Sequence, residues 1–425
     1  MWHFLPHQEL ESKKIAADLM IDKWHYMVWE ERTGKSGAAL KACMRAGFKN
    51  VMVITKKNAI DGWIEHTDNL DLEGMKVTVV NYHQIGSMKI VRKKRQITLK
   101  VDRDIYDAVI LDESHAYVSA APKPSNMFYV IRTFIADKPM LFLSATPHAQ
   151  GYHLLYHQLR LSRDTPWQDY PDFYAWWRAY GIENKKYIGP GQERETYTVI
   201  KEDMILADLE GHFSFKTRTE VGIKHEPNDV LHYVDLDVST KEIYNALQRD
   251  KVVTINDVEI IADSVMKERT TLHMLESGCF IEHQTVLDKN DEPKDIRVYH
   301  ITDNTEKIAY IKKMWGDKPN MVIMYNYKAE KIKLEKYFVH AELSQATSNA
   351  EGVDYSMYDH LIILSQDFST SRHSQRRARQ ANIKRDTPID VHFLLVREGI
   401  SDQVYTTVSI NKENFVDKNY NRIAL

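Results

Sequence analysis

The residues that could do chemistry fall in three short groups. The first, Gly34-Lys35-Ser36, closes the stretch VWEERTGKS at 28–36. Such a triplet is the tail of a phosphate-binding loop. Backbone N–H groups at a helix N-terminus favour an anion, the lysine meets the β- and γ-phosphates, and the hydroxyl takes Mg2+. The front of the loop departs from that pattern: Trp29 stands where a glycine is usual, followed by Glu30, Glu31 and Arg32. Because the triplet arises by chance in about 20% of chains this long at average composition, it needs support from elsewhere. Asp112-Glu113-Ser114-His115 supplies some, at the end of the apolar run AVIL. Adjacent carboxylates there suit nucleotide hydrolysis, with Asp112 holding Mg2+ and Glu113 orienting and deprotonating the attacking water. The plainer reading is a solvated turn with Asp as a helix cap. Ser144, Ala145 and Thr146 close a third apolar run, LFLSATP.

Positioning these groups takes a parallel sheet. YMVW (26–29), VMVIT (51–55), KVTVVN (76–81), DAVILDE (107–113) and PMLFLSAT (139–146) are continuous apolar runs separated by helical spacing. That alternation indicates a parallel sheet buried on both faces, whose ligands sit at the carboxyl ends of the strands. Residues 150–220 read as helices, with aromatics Trp167, Tyr170, Phe173, Tyr174, Trp176, Trp177 and Tyr180 at core-packing spacing and a base-stacking platform as the alternative. Residues 235–285 also read as helical. Strand and helix then alternate again through MVIMYNY (321–327), HLIILSQ (360–366) and DVHFLLV (390–396). The expected fold is therefore α/β with two lobes, 1–222 and 223–425, hinged where Gly and Pro break the pattern at 222–230.

The totals agree with two cores: 425 residues, 43% of them hydrophobic. A net charge of −3 announces no global basic field, although a large motor can confine its basic residues to one groove. Cys43 and Cys279 lack metal-ligand spacing and read as reduced, buried thiols. No apolar run approaches the ~18 residues of a membrane span, and the first residues lack a signal-peptide core. The expectation is a cytoplasmic monomer with no membrane partner.

The order GKS, DESH, SATP resembles superfamily 2 helicases and translocases, and the details resemble the Swi/Snf group. FLPHQ is similar to that group's N-terminal glutamine motif, VMVITKKNAIDGWIEH to its second motif, and VTVVNYHQI to its next DNA-facing strand. LSQATSNAEGVDY resembles motif five, and QDFSTSRHSQRRARQANIKRDTPIDVHFLL resembles motif six. RTGKS is similar to the loop of compact phage and bacterial members, in which Arg32 is a tolerated replacement for the first inner glycine.

The resemblance implies two RecA-like lobes with helical insertions, ATP and Mg2+ as cofactors, and DNA as partner, together with replication or recombination proteins. It implies an ATP-binding set of Gln8 (adenine reader), Thr33, Gly34, Lys35, Ser36, Gly352 and Asp354. Ser36 and Asp112 would hold the metal. His115, Ser144 and Thr146 would couple hydrolysis to motion, with Gln375, Arg376 and Arg379 joining Lys35, Asp112 and Glu113 in catalysis. Nucleic acid would follow Lys56, Lys57, Tyr82, His83, Tyr325, Asn326, Thr347 and Ser348, mostly through phosphates.

One departure stands out. The family's motif six carries two arginines three residues apart; counted from Gln375, the second place is Asn382. Arg376, Arg379 or Arg385 then takes the finger role, or turnover is weak. The implied function is an ATP-dependent DNA helicase or translocase. The alternatives are the motor of a restriction system and a nucleotide-gated DNA-binding scaffold. KIVRKKRQITLKVDR (89–103) is an additional basic excursion, either solvated or in contact with DNA.

Overall fold

The computed structural model describes residues 2–147, 151–189, 192–287, 292–346, 354–366 and 368–410. The chain divides into two compact units, with the break between Ile223 and Lys224.

The strands of the first unit, in chain order, are β1 (Trp24–Trp29), β2 (Asn50–Thr55), β3 (Lys76–Asn81), β4 (Gly86–Val91), β5 (Lys94–Leu99), β6 (Ala108–Asp112), β7 (Met140–Leu143), β8 (Lys185–Gly189), β9 (Gln192–Glu195) and β10 (Phe213–Lys216). Six of them form one parallel sheet in the order β10-β1-β7-β6-β2-β3. β1 and β7 are buried along their whole lengths, which is why they read as unbroken apolar runs. The first core cluster is aromatic and includes Tyr26, Phe142, Trp167, Phe173, Trp176, Trp177 and Tyr180. Another packs the small residues Ala38, Ala39 and Ala42 of the helix Lys35–Arg45 beside Met27, Val51 and Val53. Of the seven aromatics expected in the core, only Tyr174 is exposed.

The second unit adds β11 (Pro227–Val234), β12 (Val252–Ile255), β13 (Val258–Ile261), β14 (Cys279–Leu287), β15 (Pro293–Ile301), β16 (Met321–Tyr325), β17 (Glu342–Gln345), β18 (His360–Ile363) and β19 (Ile389–Val396). Its parallel sheet has the order β11-β19-β18-β16-β17. The expected α/β class with two parallel-sheet lobes is what the structure has.

Three segments differ from the sequence reading. Residues 150–220 do hold helices, but also the β8–β9 hairpin and β10, which completes the sheet beside β1. β10 is four residues long, too short for periodicity to distinguish from a helical turn. Residues 235–285 contain the β12–β13 hairpin between two genuine helices, and after the second helix the start of the long β14–β15 ribbon. The basic excursion at 89–103 is a hairpin of β4 and β5.

Candidate active site

All six strands of the first sheet are parallel, so their carboxyl ends share one edge. β1 delivers the phosphate loop there. Arg32 and Gly34 have φ of +69° and +83°. Glycine adopts this left-handed region freely, whereas arginine pays about 1–2 kcal/mol. The loop is braced from behind by the helix Pro6–Ile21. His7 Nε2 lies 2.8 Å from the Thr33 carbonyl oxygen, and Gln8 Nε2 donates to the Gly34 carbonyl at 2.8 Å. In a planar trans peptide the N–H points opposite to its carbonyl. The N–H groups of Gly34 and Lys35 therefore face away from that helix, as a phosphate cradle requires. A Cβ on Gly34 or Gly37 would come within 2.5 or 2.6 Å of Gln8 Nε2, so glycine is what lets Gln8 approach.

The crowded front of the loop is held by Arg218, just beyond β10. Glu30 Oε2 accepts the Arg218 backbone N–H at 2.7 Å, and the Arg218 guanidinium lies 3.4 Å from Glu31. An arginine at this point offsets two carboxylates that would otherwise repel a phosphate. The side chain of Lys35 donates to the carbonyls of Trp29 at 2.6 Å and Glu30 at 2.8 Å. Burial lowers its pKa, opposed by the carboxylates of Glu31, Glu113, Asp112 and Glu30.

β6 delivers the carboxylates. Register places Thr55 of β2 beside Asp112, since Ile54 pairs with Leu111. Asp112 Oδ2 accepts from Thr55 Oγ1 at 2.7 Å and from Trp63 Nε1 at 2.9 Å. The Asp112 carbonyl accepts from the Tyr82 hydroxyl at 2.7 Å. Glu113 donates its N–H to Leu143 at 2.9 Å and has φ of +51°, a strained backbone of the kind that collects at functional sites. His115 Nδ1 lies 2.9 Å from Ser144 Oγ and 3.2 Å from Glu113 Oε2. Ser144 Oγ also accepts the Thr146 N–H at 3.0 Å. Burial, with Lys56 nearby, lowers the His115 pKa to about 3, so the ring is neutral at physiological pH. Beneath this edge Ser114, Tyr26 and Gln158 form a buried hydrogen-bonded cluster, and Gln158 donates on to the Pro147 carbonyl at 2.7 Å.

The structure thus gathers Thr33, Gly34, Lys35, Asp112, Glu113, His115, Ser144 and Thr146 at the carboxyl edge of one sheet, with Ser36 on the first turn of the helix after the loop. Gln8 joins them as a strut: its Oε1 accepts the Leu5 N–H at 2.7 Å, so both ends of its amide bond to this chain. Lys56 is half-buried, and Lys57 and His83 are exposed beyond β2 and β3.

Three residues expected along the nucleic-acid track are buried instead. Tyr82 is fully buried, its ring stacked on Tyr117 with centroids 4.1 Å apart. Tyr325 packs in the core of the second unit. Asn326 is buried, with its N–H donating to Glu330 Oε2 at 2.8 Å and its Oδ1 accepting from Arg376 at 3.0 Å. Aromatic and amide residues at a strand end can serve a ligand or the fold, and here packing claims them. Thr347, Ser348 and Gly352 lie outside the described residues.

In the second unit Gln375, Arg376 and Arg379 are buried together on the segment 375–379, with the helix tightening to a 3-10 turn at Ala378–Gln380. Arg377 turns to β11 and donates to Asp229 at 2.6 Å and to the Pro227 carbonyl at 2.8 Å. Asn382 donates to Asp354 at 3.4 Å and Ser356 at 3.3 Å, joining the two motif segments. Arg385 is engaged with the carbonyls of Ser356 at 2.9 Å and Tyr358 at 3.0 Å.

These residues suit a magnesium nucleotide. Among the described residues no group of three or more His, Cys, Asp or Glu could hold a metal on its own. Mg2+ binds typically through one or two protein oxygens plus phosphates, and Ser36 Oγ with Asp112 provides that donor set. Sequence reasoning missed Thr55, Trp63, Gln158 and Arg218. Only Trp63 carried a signal, as the tryptophan of the second-motif helix.

No protein-family model matches the chain, and no curated protein does. Among solved structures it is similar to the Sulfolobus solfataricus SWI2/SNF2 ATPase core domain, at 11% identity and a TM-score of 0.40, over 100% of this chain and 94% of that one. So slight a likeness carries no chemistry, which has to come from the residues themselves.

Proposed function

We propose that this chain is an ATP-driven DNA motor of the compact, phage- or bacterial-type Swi/Snf-like kind. It would couple hydrolysis to movement along, or remodelling of, DNA in replication, recombination or repair. One observation supports the coupling most directly. The carboxylate of Asp112, the proposed metal ligand, is bonded by Thr55, which precedes half-buried Lys56 and exposed Lys57, and its carbonyl by Tyr82, next to exposed His83. A change at Asp112 is therefore felt by both turns that the family resemblance assigns to DNA.

Each residue has a role that follows from its setting. The N–H groups of Thr33 to Ser36 bind phosphate oxygens, and Lys35 exchanges its two carbonyl partners for the β- and γ-phosphates. Bound Mg2+ supplies charge neutralisation on the phosphates, held by Ser36 and Asp112. Glu113 accepts a proton from the attacking water. Neutral His115 would link Glu113 to Ser144, since its Nδ1 faces both, at 3.2 Å and 2.9 Å. Gln8 holds the loop. Arg379, the arginine at the first motif-six place counted from Gln375, is the candidate for the finger role that the family resemblance implies. A nucleotide-gated DNA scaffold with weak hydrolysis is the second reading. It is favoured by Asn382, an uncharged residue tied to Asp354 and Ser356 at the place of a family arginine.

Steady-state ATPase with single-stranded, duplex and forked DNA tests the proposal, using wild type and Lys35→Ala. DNA-stimulated turnover in the wild type and loss of turnover in a folded Lys35→Ala protein are expected. Equal rates in the two proteins would overturn the motor reading, and DNA binding without hydrolysis in the wild type would favour the scaffold.

A further inference from the structure

Among the described residues, the hairpins β12–β13 and β4–β5 close with two-residue turns of opposite chemistry. β12 and β13 pair as far as Ile255 with Val258, leaving Asn256 and Asp257 at φ of +49° and +63°. β4 and β5 pair as far as Val91 with Lys94, leaving Arg92 and Lys93 at φ of +49° and +63°. A turn with both central residues left-handed selects Asn, Asp and Gly. The first hairpin obeys that preference, whereas the second puts two long cations on a backbone that disfavours them.

The surroundings compound the conflict. From Gly86 to Lys100 the sequence carries Lys89, Arg92, Lys93, Lys94, Arg95 and Lys100 and no acidic residue. Residues 89 to 96 are all exposed. Among the described residues, Lys89, Arg92, Lys93 and Lys94 enter no ion pair. A local rule broken without a packing gain marks a functional position.

The foot of the hairpin continues the positive charge. Met88, Ile97 and Leu99 pack on the core of the unit, and the Arg95 guanidinium lies 4.0 Å from the ring centre of Tyr129 on the helix Asn126–Ile135. Tyr129 borders two cavities. One, of about 290 Å3, is lined by Arg103, Arg132 and Arg163; the other, of about 320 Å3, by Lys123, Arg132 and Arg160, with Asp172 as the carboxylate in its wall. Arg132 lines both, is half-buried, and is paired with no carboxylate among the described residues. Burial and the neighbouring Arg160 and Arg163 destabilise its charge. Arg163 pairs with the exposed Asp137 at 2.8 Å, Arg103 with the exposed Asp104 at 3.4 Å, and Arg103 and Arg160 also donate to backbone carbonyls. An external anion would relieve this repulsion.

We propose that the Arg92-Lys93 turn and Arg132 belong to one phosphate-binding track for duplex DNA, built from none of the nucleotide-site residues. The choice of DNA as the polyanion rests on the motor reading. The choice of duplex rests on shape, because a two-stranded ribbon fits the major groove of B-DNA and its strands present cations on a rigid spacing.

The test is nucleotide-free binding of a labelled duplex, followed by anisotropy over a salt series, with a single strand as the second arm. Arg92→Asn/Lys93→Gly installs the turn sequence that the backbone prefers and removes two charges. Its melting temperature is expected to hold or rise while the slope of log K against log salt falls by about 1.8, at about 0.9 per phosphate contact. Arg132→Gln is expected to lower the slope by about 0.9. A wild-type slope in either variant overturns the single track, and a slope that falls only with the single strand overturns the duplex assignment. An unchanged slope in a protein whose ATPase is DNA-stimulated would sink the track and leave the motor standing. Reduced slopes in a protein without ATPase would do the reverse.

Discussion

The Asp112 carboxylate receives two donors on one oxygen, Thr55 Oγ1 at 2.7 Å and Trp63 Nε1 at 2.9 Å. They fix the direction of the remaining oxygen, the one proposed to face Mg2+. Thr55→Val and Trp63→Phe each remove a donor and keep most of the shape. A hydrogen bond to a charged group contributes about 1.5–3 kcal/mol, so each single change should weaken the Mg2+-dependent step about tenfold, at ~1.4 kcal/mol per decade. Because both bonds serve one oxygen, their effects should not add. The second donor partly holds the carboxylate when the first is gone, so the double variant should lose clearly more than the roughly hundredfold that two independent tenfold losses would give. Trp63 is buried in the core, so its truncation also costs packing of about 1–2 kcal/mol. The assay is steady-state ATPase against Mg2+ at fixed nucleotide, with thermal melting of every variant. The double variant should need more Mg2+ for half-maximal rate. If it folds and its Mg2+ curve overlays that of the wild type, Asp112 does not hold the metal and the site is misassigned.

Glu113→Gln keeps the shape and removes the base, so nucleotide binding should persist while turnover drops by about 10²–10⁴; normal hydrolysis would end the assignment. Arg379→Ala should lower DNA-stimulated ATPase by about 10³, and Asn382→Arg should raise it if the family pattern is what the chain lacks. Arg377→Ala, which helix phase alone would make mild, should destabilise the second unit by about 1–3 kcal/mol, because Asp229 is left without its closest cation at 2.6 Å; melting separates this from a catalytic defect. Burial lowers the pKa of His115, His273 and His373 to about 3 and of His153 and His157 to about 4. The unfolded chain therefore takes up these protons first, and stability that is full above about pH 6.5 declines as the pH falls toward 3, by about 2 kcal/mol per ring at pH 5. Denaturant unfolding that is flat between pH 7 and 5 would contradict those burials.

The sheet of the first unit, and the edge at which the proposed site residues meet, were legible in the residues alone. Strands buried on both faces must be apolar throughout, and polar groups that end such strands must lie at a common edge when the strands are parallel. Lys35, Asp112, Glu113 and Ser144 were legible for that reason. The tertiary structure alone decided what holds them. Thr55 reaches Asp112 through strand register, and Arg218 reaches Glu30 across 188 residues of chain. Neither contact leaves a local pattern, because long-range pairing is fixed by which strands become neighbours and not by any spacing within one segment. The same reason explains the errors. Tyr82, Tyr325 and Asn326 look like ligand residues in a linear reading, and only the packing around them shows that they are buried. The short β10 and the β12–β13 hairpin were invisible because a strand of four residues gains its stability from the partner it pairs with, and that partner lies far away in sequence or is set by a turn.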